Sequence, residues 1–495
     1  MESYDAVIIG SGLGGLECGY ILAGHGMKVC VLERHAQPGG CLQTFQRGHI
    51  RFDTGFHYVG GLGEGQPLHR LFRYFGLLDL PWYPLDEACF DEVAVEGKTY
   101  AFANGYERFA DTLAQRFPAQ RGELAAYAAF LKHVGEHLFD AFRPGRHADE
   151  LYTTSLFAQS AYDFLQETTD NPLLRKVLSG TSLKMELRAG TLPLYVFAQI
   201  NSAFIQSAWR LRGGGSQIAE RLAQHLRRMG GEVRTQAEVT RLTEAGGRLA
   251  TVEVNGEERL SARWVISDVH PAYTLSLIDE TKLLRNIYRK RIASLPNTFG
   301  MFTLHLRLKP DSVPYLNRNV FVHDNRSDSW HDRPEDGPKC VMISYYPPET
   351  NSSCASALDI LTPMSWSEVM PWKDLQSGRR GESYAQLKAD RAEACIRLAS
   401  EQIPGLRDAV EKMYASTPLS YASYTHAFEG SAYGIRKDCT RPMYTVLTPR
   451  TPIPNLLLTG QNLNLHGILG VSVTSFFTCA EILGRETAMK GLELN

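Results

Sequence analysis

Short, fully apolar runs separated by a stretch of helical spacing open the chain. Residues 6–9 are all apolar, as expected for a central parallel strand, and residues 28–33 predict a second strand that ends in an acid. Between them, apolar positions recur at every third or fourth residue, which predicts a helix. These positions are Leu13, Leu16, Tyr20 and Ala23. The pattern therefore predicts a complete β-α-β unit.

A glycine-rich turn joins the first strand to this helix. It consists of Gly10, Ser11, Gly12, Leu13, Gly14 and Gly15. Gly10 permits the tight turn, Gly12 lets the backbone approach a pyrophosphate, and Gly15 lets the helix pack close to the strand. Glu33 is placed to accept hydrogen bonds from ribose hydroxyls. The unit predicts a dinucleotide whose pyrophosphate lies at the helix N-terminus, and a plain tight turn in an α/β domain is the alternative.

Two more glycine-rich loops follow the acid, where a simple NAD domain would pass into its next helix. They contain Arg34, Gly39, Gly40 and Cys41, and then Thr54, Gly55, His57, Tyr58, Gly60 and Gly61. Paired glycines on both sides of a polar and aromatic stretch indicate backbone that runs close to something flat and large. This favours a larger cofactor than NAD.

Similar patterns recur far along the chain. Residues 210–216 lead into a helix with an apolar stripe, and Val239 begins a strand. Residues 249–260 predict a hairpin around Asn255 and Gly256, and residues 264–268 predict one more strand. Near the C-terminus, residues 455–462 predict a buried strand, which is followed by a helix over residues 471–483. Taken alone, residues 213–216 are also compatible with an ordinary loop that caps the following helix.

In these motifs the chain resembles the FAD-containing amine oxidase and phytoene desaturase superfamily, and is most similar to its retinol saturase, carotenoid isomerase and phytoene desaturase branch. The resemblance implies that the Gly39–Gly40 loop approaches the diphosphate and flavin and that residues 53–57 lie beside the isoalloxazine. It also implies that the Val239 backbone holds the adenine. Most members carry an acid where this chain has Gln461.

The cofactor implied by this resemblance is FAD. The residues expected to bind it are Gly10, Gly12, Leu13, Gly14, Gly15, Glu33, Arg34, Gly39, Gly40, Cys41, Thr54, Gly55, His57, Val239, Gly460, Gln461, Gly467, Gly470 and Val471. The implied fold is a two-domain α/β (α+β) architecture. A Rossmann-like FAD domain of the glutathione reductase type is joined by a discontinuous substrate domain of mixed sheet and helical cap.

The predicted domain boundaries follow from the positions of the motifs. Residues 1–75, 205–290 and 440–495 are assigned to the FAD-binding domain. Residues 76–204 and 291–439 are assigned to the substrate domain. Residues 62–200 read as a helical cap and residues 302–308 as a strand. Residues 109–117 and 123–139 are predicted helices within the cap.

Composition narrows the class of protein further. The 495 residues are 43% hydrophobic and 21% charged, which fits a soluble protein with a sizeable core. A net charge of −2 argues against nucleic-acid binding. Nine scattered cysteines without a Cys-x-x-Cys pair indicate reduced thiols and no metal site. No signal peptide or membrane-spanning run is expected, so the prediction is a cytoplasmic protein, with peripheral membrane contact left open.

The resemblance implies an FAD-dependent oxidoreductase that acts on carbon–carbon bonds of a lipophilic, polyene-like substrate of the retinoid or carotenoid type. Saturase, desaturase and redox-neutral isomerase share this scaffold, and the Thr-Gly-Gln sequence that ends at Gln461 favours the first and third. A flavin amine oxidase, and a non-enzymatic lipid carrier like the Rab GDP-dissociation inhibitors, are the alternatives. The electron donor or acceptor is unassigned, with NAD(P)H and a quinone as options.

Reduction of a double bond needs a proton as well as a hydride, so a proton donor is expected near the flavin. Candidates are His57, Tyr58, Tyr424, His426, Tyr433 and His466. His57, Tyr58 and His466 are the predicted catalytic residues, because they belong to the loops expected beside the flavin. The alternative is that these side chains only hydrogen-bond to backbone or ligand.

Overall fold

The computed structural model describes residues 1–140, 154–348 and 352–492. Parts of the predicted domain segments 76–204, 291–439 and 440–495 therefore lie outside the described residues. The strands, in chain order, are β1 (Glu2–Ile9), β2 (Val29–Leu32), β3 (Thr44–Arg47), β4 (Ile50–Asp53), β5 (Val59–Gly60), β6 (Trp82–Pro84), β7 (Asp91–Val95), β8 (Lys98–Phe102), β9 (Ala208–Leu211), β10 (Glu232–Arg234), β11 (Val239–Ala245), β12 (Arg248–Val254), β13 (Glu258–Ser267), β14 (Gly300–Leu308), β15 (Asn319–His323), β16 (Cys340–Tyr345), β17 (Ala357–Met364), β18 (Val410–Ser416) and β19 (Leu456–Leu458).

Helices connect and cover these strands. In chain order they are α1 (Leu13–Gly24), α2 (Pro67–Phe75), α3 (Tyr106–Ala114), α4 (Arg121–Glu136), α5 (Ala161–Thr168), α6 (Pro172–Leu178), α7 (Leu194–Gln206), α8 (Ser216–Arg228), α9 (Pro271–Ser276), α10 (Asn286–Ala293), α11 (Trp366–Val369), α12 (Gly381–Ala399), α13 (Leu406–Ala409), α14 (Pro418–Tyr424), α15 (Pro442–Thr445), α16 (Gly467–Leu483) and α17 (Arg485–Ala488). Within the described residues, no helix is both long and apolar enough to cross a membrane.

The first sheet has the strand order β10-β2-β1-β13-β12-β11, and β19 pairs with β13. Strands β10, β2, β1, β13 and β19 run parallel, while β12 and β11 continue the sheet as an antiparallel extension. Residues 6–9 of β1 and all of β2 are buried, because helices pack on them. Leu16 of α1 and Phe476 of α16 belong to the same apolar cluster as Ile8. The predicted β-α-β unit is confirmed.

The second sheet has the order β18-β14-β17-β16-β15-β7-β8 and is antiparallel except between β15 and β7. The strand predicted at residues 302–308 is confirmed as part of β14. Both faces of β14 are buried, however, and not one face as its alternation suggests, because apolar clusters lie on either side of the sheet. The parallel core of one sheet and the mixed pairing of the other make an α/β architecture with two large sheets. Two small sheets, β3-β4 and β5-β9-β6, accompany them.

Two local predictions are wrong in instructive ways. Residues 264–268 are not a separate strand. They are the end of β13, which runs continuously from residue 258 and pairs first with β12 and then with β1. Residues 62–200 are not purely helical, because β6, β7 and β8 lie among the helices and β7 and β8 complete the second sheet. Their partners come from distant parts of the chain, which local periodicity cannot reveal.

Candidate active site

A cavity of about 380 Å³ lies between the two sheets. One end is formed where β1 and β2 end, at Gly10 and Glu33, and the other end reaches Met301, Met342 and Leu361 on the second sheet. Ligands of open α/β sheets bind beyond the carboxyl ends of the parallel strands, which is where this cavity begins. The cavity is therefore the candidate site.

The glycine-rich turn is built around close backbone contacts. Gly10 has a φ of 93°, in the region that favours glycine. A Cβ on Gly15 would lie 2.2 Å from the carbonyl oxygen of Gly10, and one on Gly12 would lie 2.4 Å from Oδ2 of Asp268. Gly12 also precedes α1 without a side-chain cap, so backbone N–H groups of the first turn are not satisfied in that way. This turn can take a pyrophosphate.

Glu33 is held rigidly at the end of β2. Its Oε2 accepts hydrogen bonds from the backbone N–H (3.1 Å) and hydroxyl (2.5 Å) of Ser11, and its Oε1 accepts one from the N–H of His35 (2.8 Å). The neighbouring Arg34 contacts His426 through Nη1 and Nδ1, and both residues line the cavity. A fixed carboxylate at this position suits a ribose diol.

The loops after Glu33 pack tightly on the turn. The N–H of Gly39 donates to the carbonyl of Ser11 (3.0 Å), and a Cβ on Gly40 would lie 3.4 Å from Cα of Gly12. The hydroxyl of Thr54 donates to the carbonyls of Gln43 (2.7 Å) and Cys41 (3.2 Å), which joins the two loops. Backbone therefore follows the cavity wall closely, as the glycine pairs predict.

The C-terminal segment closes the opposite wall. Gln461 and Val471 line the cavity, and Gly467 is the first residue of α16 with a φ of 77°. A Cβ on Gly470 would lie 2.4 Å from the carbonyl oxygen of Leu465, so this glycine allows the chain to fold back before the helix. The N-terminus of α16 reaches the cavity, where it favours negative charge.

The structure brings most of the predicted cofactor residues together around the cavity. Those that line it are Gly10, Gly12, Leu13, Gly14, Glu33, Arg34, Gly39, Gly40, Cys41, Gly55, His57, Val239, Gln461, Gly467 and Val471. Gly15, Thr54, Gly460 and Gly470 stand behind this wall and support it. Tyr58 and His466 also line the cavity.

The three predicted catalytic residues differ in how their polar atoms are engaged. The Tyr58 hydroxyl donates to Oδ2 of Asp91 (2.9 Å), and Nε2 of His466 donates to the carbonyl of Lys184 (3.0 Å). In contrast, Nε2 of His57 is buried and has no hydrogen-bond partner. Burial lowers the pKa of His57 and of His466 to about 4, so both are neutral at pH 7. Of the three, His57 is therefore the residue whose Nε2 is not already engaged by the protein.

A buried ion pair lies beside Tyr58. Nζ of Lys184 is 2.7 Å from Oδ2 of Asp91, with side-chain exposures of 5% and 0%. The ammonium also lies 4.3 Å from the centre of the Phe204 ring. Burial lowers the pKa of Lys184 against the opposing effect of Asp91, and burial raises the pKa of Tyr58 well above its usual value. This pair places one cation at the wall of an otherwise apolar region.

Asp268 is a site residue that the sequence analysis did not single out. It follows β13, the strand beside β1, and its carboxylate accepts a hydrogen bond from the N–H of Gly15. Its oxygens fill the space beside Gly12, Gly14 and Gly460. Burial raises its pKa to about 7. Its position at the end of the strand predicted at residues 264–268 was the available signal, because the carboxyl ends of parallel strands meet at one edge of the sheet.

Comparison with known proteins agrees with this geometry. The profile of the family described as flavin containing amine oxidoreductase matches residues 13–351. Zebrafish (Danio rerio) all-trans-retinol 13,14-reductase is 29% identical over 97% of this chain and 86% of its own length. Prolycopene isomerase 2 of an Oncidium hybrid cultivar is 23% identical over 88% of this chain and 75% of its own. A triple mutant of putrescine oxidase has a TM-score of 0.66 at 16% identity, covering 98% and 99% of the two chains.

The fold and the site together define a flavin-dependent oxidoreductase of the two-domain α/β class. The chain belongs to the flavin containing amine oxidoreductase family, and its cofactor is FAD. The residues present fit this cofactor: the glycine turn before α1 lines the cavity and has no side-chain cap at Gly12, which suits a diphosphate, and the fixed carboxylate of Glu33 suits a ribose. The predicted fold class, enzyme class and cofactor are thereby confirmed.

Proposed function

We propose that this oxidoreductase acts on a carbon–carbon double bond of a lipophilic polyene of the retinoid or carotenoid type. The observation that carries the proposal is the continuity of one cavity from the dinucleotide-binding turn to a wall of apolar side chains. This wall includes Leu183, Phe204, Met301, Met342 and Leu361. An elongated hydrocarbon needs such a surface beside the flavin. The names of the retinol reductase and prolycopene isomerase relatives support the same substrate class.

We propose reduction of the double bond as the reaction. The Thr-Gly-Gln sequence at residues 459–461 resembles the saturase and isomerase branch, and the reductase relatives align with nearly the whole chain. Isomerisation without net redox change is the second candidate, supported by the prolycopene isomerase relatives. Desaturation and amine oxidation become outcomes of the experiment below.

The chain's own residues supply placement and a proton. FAD, when bound, supplies hydride chemistry at a substrate carbon. The apolar wall orients the polyene and excludes water. We assign the proton to His57, because this residue lines the cavity and its Nε2 has no hydrogen-bond partner in the protein. Tyr58 and His466 keep their polar hydrogens on Asp91 and on the Lys184 carbonyl, so we assign them to shaping the cavity.

The domain assignment remains part of the proposal. Residues 1–75, 205–290 and 440–495 are proposed to form the FAD-binding domain, and residues 76–204 and 291–439 the substrate domain. All strands of the first sheet fall in the first set and all strands of the second sheet fall in the other, which supports the division. We also keep the proposal of a cytoplasmic protein, with peripheral membrane contact left open. The redox partner stays unassigned, with NAD(P)H and a quinone as the options.

The test is a visible spectrum of the purified protein, followed by anaerobic reduction with dithionite and addition of a retinoid or a carotenoid. Reoxidation of the flavin with loss of one substrate double bond is the expected result. A flavin that stays reduced while the polyene changes isomer would establish the isomerase instead. Reduction of the oxidised flavin by a polyene or by an amine would overturn the proposed direction or the proposed substrate, respectively.

Two matched variants make this test specific to the cavity. Met342→Glu puts a charge into the apolar wall and is expected to abolish the response to polyene. Met370→Glu changes a methionine that is 49% exposed and away from the cavity, and should respond like the parent. The flavin content of each variant reports whether it has folded. Equal responses from the two variants would contradict the assignment of the apolar wall to the substrate.

A further inference from the structure

The buried pair of Lys184 and Asp91 leaves a cation at the wall of the cavity. Lys184 lines the cavity, and its Nζ lies 4.3 Å from the ring centre of Phe204 and 5.6 Å from that of Tyr58, two residues that also line it. Asp91 and Phe90, which lie next to the same ammonium, are fully buried. The 5% of the Lys184 side chain that stays exposed is therefore open to the cavity.

This ammonium has more donors than the protein satisfies. Within the residues that the structure describes, Asp91 is its one polar partner, at 2.7 Å, and the face of the Phe204 ring can take a second N–H. An ammonium has three N–H groups, so at least one is left for a ligand. A buried donor without an acceptor is costly, and an acceptor on the ligand would remove this cost.

Other polar side chains of the cavity wall use a donor inside the protein. Four of them are Tyr58, Gln199, Tyr421 and Tyr433, which donate to Asp91 and to the carbonyls of Val134, Thr54 and Leu183, respectively. Lys184 differs from these four because it is charged and has an N–H to spare. Apolar contacts alone let a uniform polyene shift along its own axis, whereas one directional hydrogen bond fixes its position.

Charge decides which acceptor fits. Asp91 already compensates the ammonium and is itself fully buried, so a carboxylate on the ligand would bring a second anion into the same buried place. An uncharged oxygen accepts the N–H without this cost, and a pure hydrocarbon offers no acceptor at all. A hydroxyl group at the end of the polyene meets both conditions.

We propose that Lys184 determines the substrate specificity of this enzyme: it binds an uncharged oxygen at one end of the polyene, and thereby fixes which of the conjugated double bonds is reduced. The inference rests on the proposed function and narrows its substrate class to polyenes with such an end group. The contact is a hydrogen bond, so it makes and breaks no covalent bond.

The first test measures binding without turnover. The oxidised, flavin-loaded protein is titrated with all-trans-retinol and with its deoxy analogue, in which a methyl group replaces the CH2OH group, and quenching of tryptophan fluorescence gives each Kd. We expect retinol to bind about tenfold or more tightly than the analogue, because the analogue leaves a charged donor unpaired. Equal Kd values would overturn the inference and leave the proposed reaction standing. If neither compound binds, the proposed substrate class fails together with the inference.

A double variant assigns this preference to Lys184. Lys184→Met combined with Asp91→Asn removes both charges, so no uncompensated charge stays buried, and its flavin content reports whether it has folded. The two Kd values should then agree within about twofold. Lys176→Met combined with Glu96→Gln is the matched control, because it removes an ion pair that lies outside the cavity wall, and it should keep the preference of the parent. A preference that survives in the first double variant, or that is lost in both, would overturn the role of Lys184.

The second test needs no variant. Dithionite-reduced parent protein is mixed with each compound, and the position of the reduced double bond in the products is determined by NMR. One product is expected from retinol and a mixture of positions from the deoxy analogue, which lacks the fixed end. The same single product from both compounds would overturn the part of the proposal that concerns the position of reduction. If neither compound is reduced, the proposed reaction fails, and the ratio of Kd values still decides whether Lys184 binds the oxygen.

Discussion

The pair formed by Lys184 and Asp91 shows how much one buried contact can matter. Asp91 accepts hydrogen bonds from Tyr58 and from Nδ2 of Asn319 (2.9 Å) in addition to the ion pair, so its charge is well satisfied. Taking two charges from water is costly, and the cost is offset only while both partners are present. The pair therefore constrains the cavity wall more than it stabilises the fold.

We predict that Lys184→Met lowers the free energy of unfolding by about 3–5 kcal/mol, because Asp91 would be left as an uncompensated buried charge. Lys176→Met is the matched control; its partner is Glu96 at 2.8 Å, with side-chain exposures of 38% and 43%, and the loss should stay below about 1 kcal/mol. Urea unfolding at pH 7 measures both. Adding Asp91→Asn to Lys184→Met should recover part of the loss, and equal losses for the two lysine variants would contradict the prediction.

At the scale of elements, the first β-α-β unit is predictable because all of its signals are local. The run that ends at Ile9, the glycines from Gly10 to Gly15 and the acid at Glu33 lie within one stretch of chain, and each has a separate physical reason. The same holds for the hairpin at Asn255 and Gly256, whose φ angles of 54° and 76° are the positive values that its turn requires.

Other parts of the site depend on pairing between distant strands. Asp359 meets His305 because β14 and β17 are in a particular register, and Asp91 meets Lys184 through β7, a strand that the helical reading of its segment missed. A register is set by the packing of a whole sheet, so a single sequence carries little trace of it. His57 was predicted as a catalytic residue, but its neighbour Asp359, whose Oδ2 is 3.7 Å from Nδ1 of His57, could not be predicted.

The glycine turn before α1 leads to a prediction for this element. Gly12→Ala has an acceptable backbone (φ −61°), but its Cβ would lie 2.4 Å from Oδ2 of Asp268, so the turn must shift where the diphosphate is expected. We expect bound FAD to fall by about tenfold or more. Gly24→Ala, at the other end of α1, would place its Cβ 3.8 Å from Sδ of Met229 and should keep normal flavin content. The ratio of flavin to protein absorbance measures both, and full occupancy in Gly12→Ala would contradict the prediction.

At the scale of the whole molecule, the cavity joins segments that are far apart in the sequence. Gly12 and Glu33 belong to the first segment, Val239 to the second, and Gln461 and Val471 to the last. A ligand that contacts all three links the termini of the chain to its middle. Binding of such a ligand to the folded state alone must raise the free energy of unfolding.

We therefore predict that FAD at 100 times its Kd raises the free energy of unfolding of the flavin-stripped protein by about 2.7 kcal/mol. ADP at the same concentration should raise it less, because it reaches the turn and Glu33 but not the loop around Gln461 or the start of α16. Thermal unfolding with each ligand measures the difference, and Glu33→Gln should weaken both effects. If ADP stabilises the protein as strongly as FAD does, the C-terminal segment contributes nothing to binding, and the assignment of residues 440–495 to the FAD-binding domain fails.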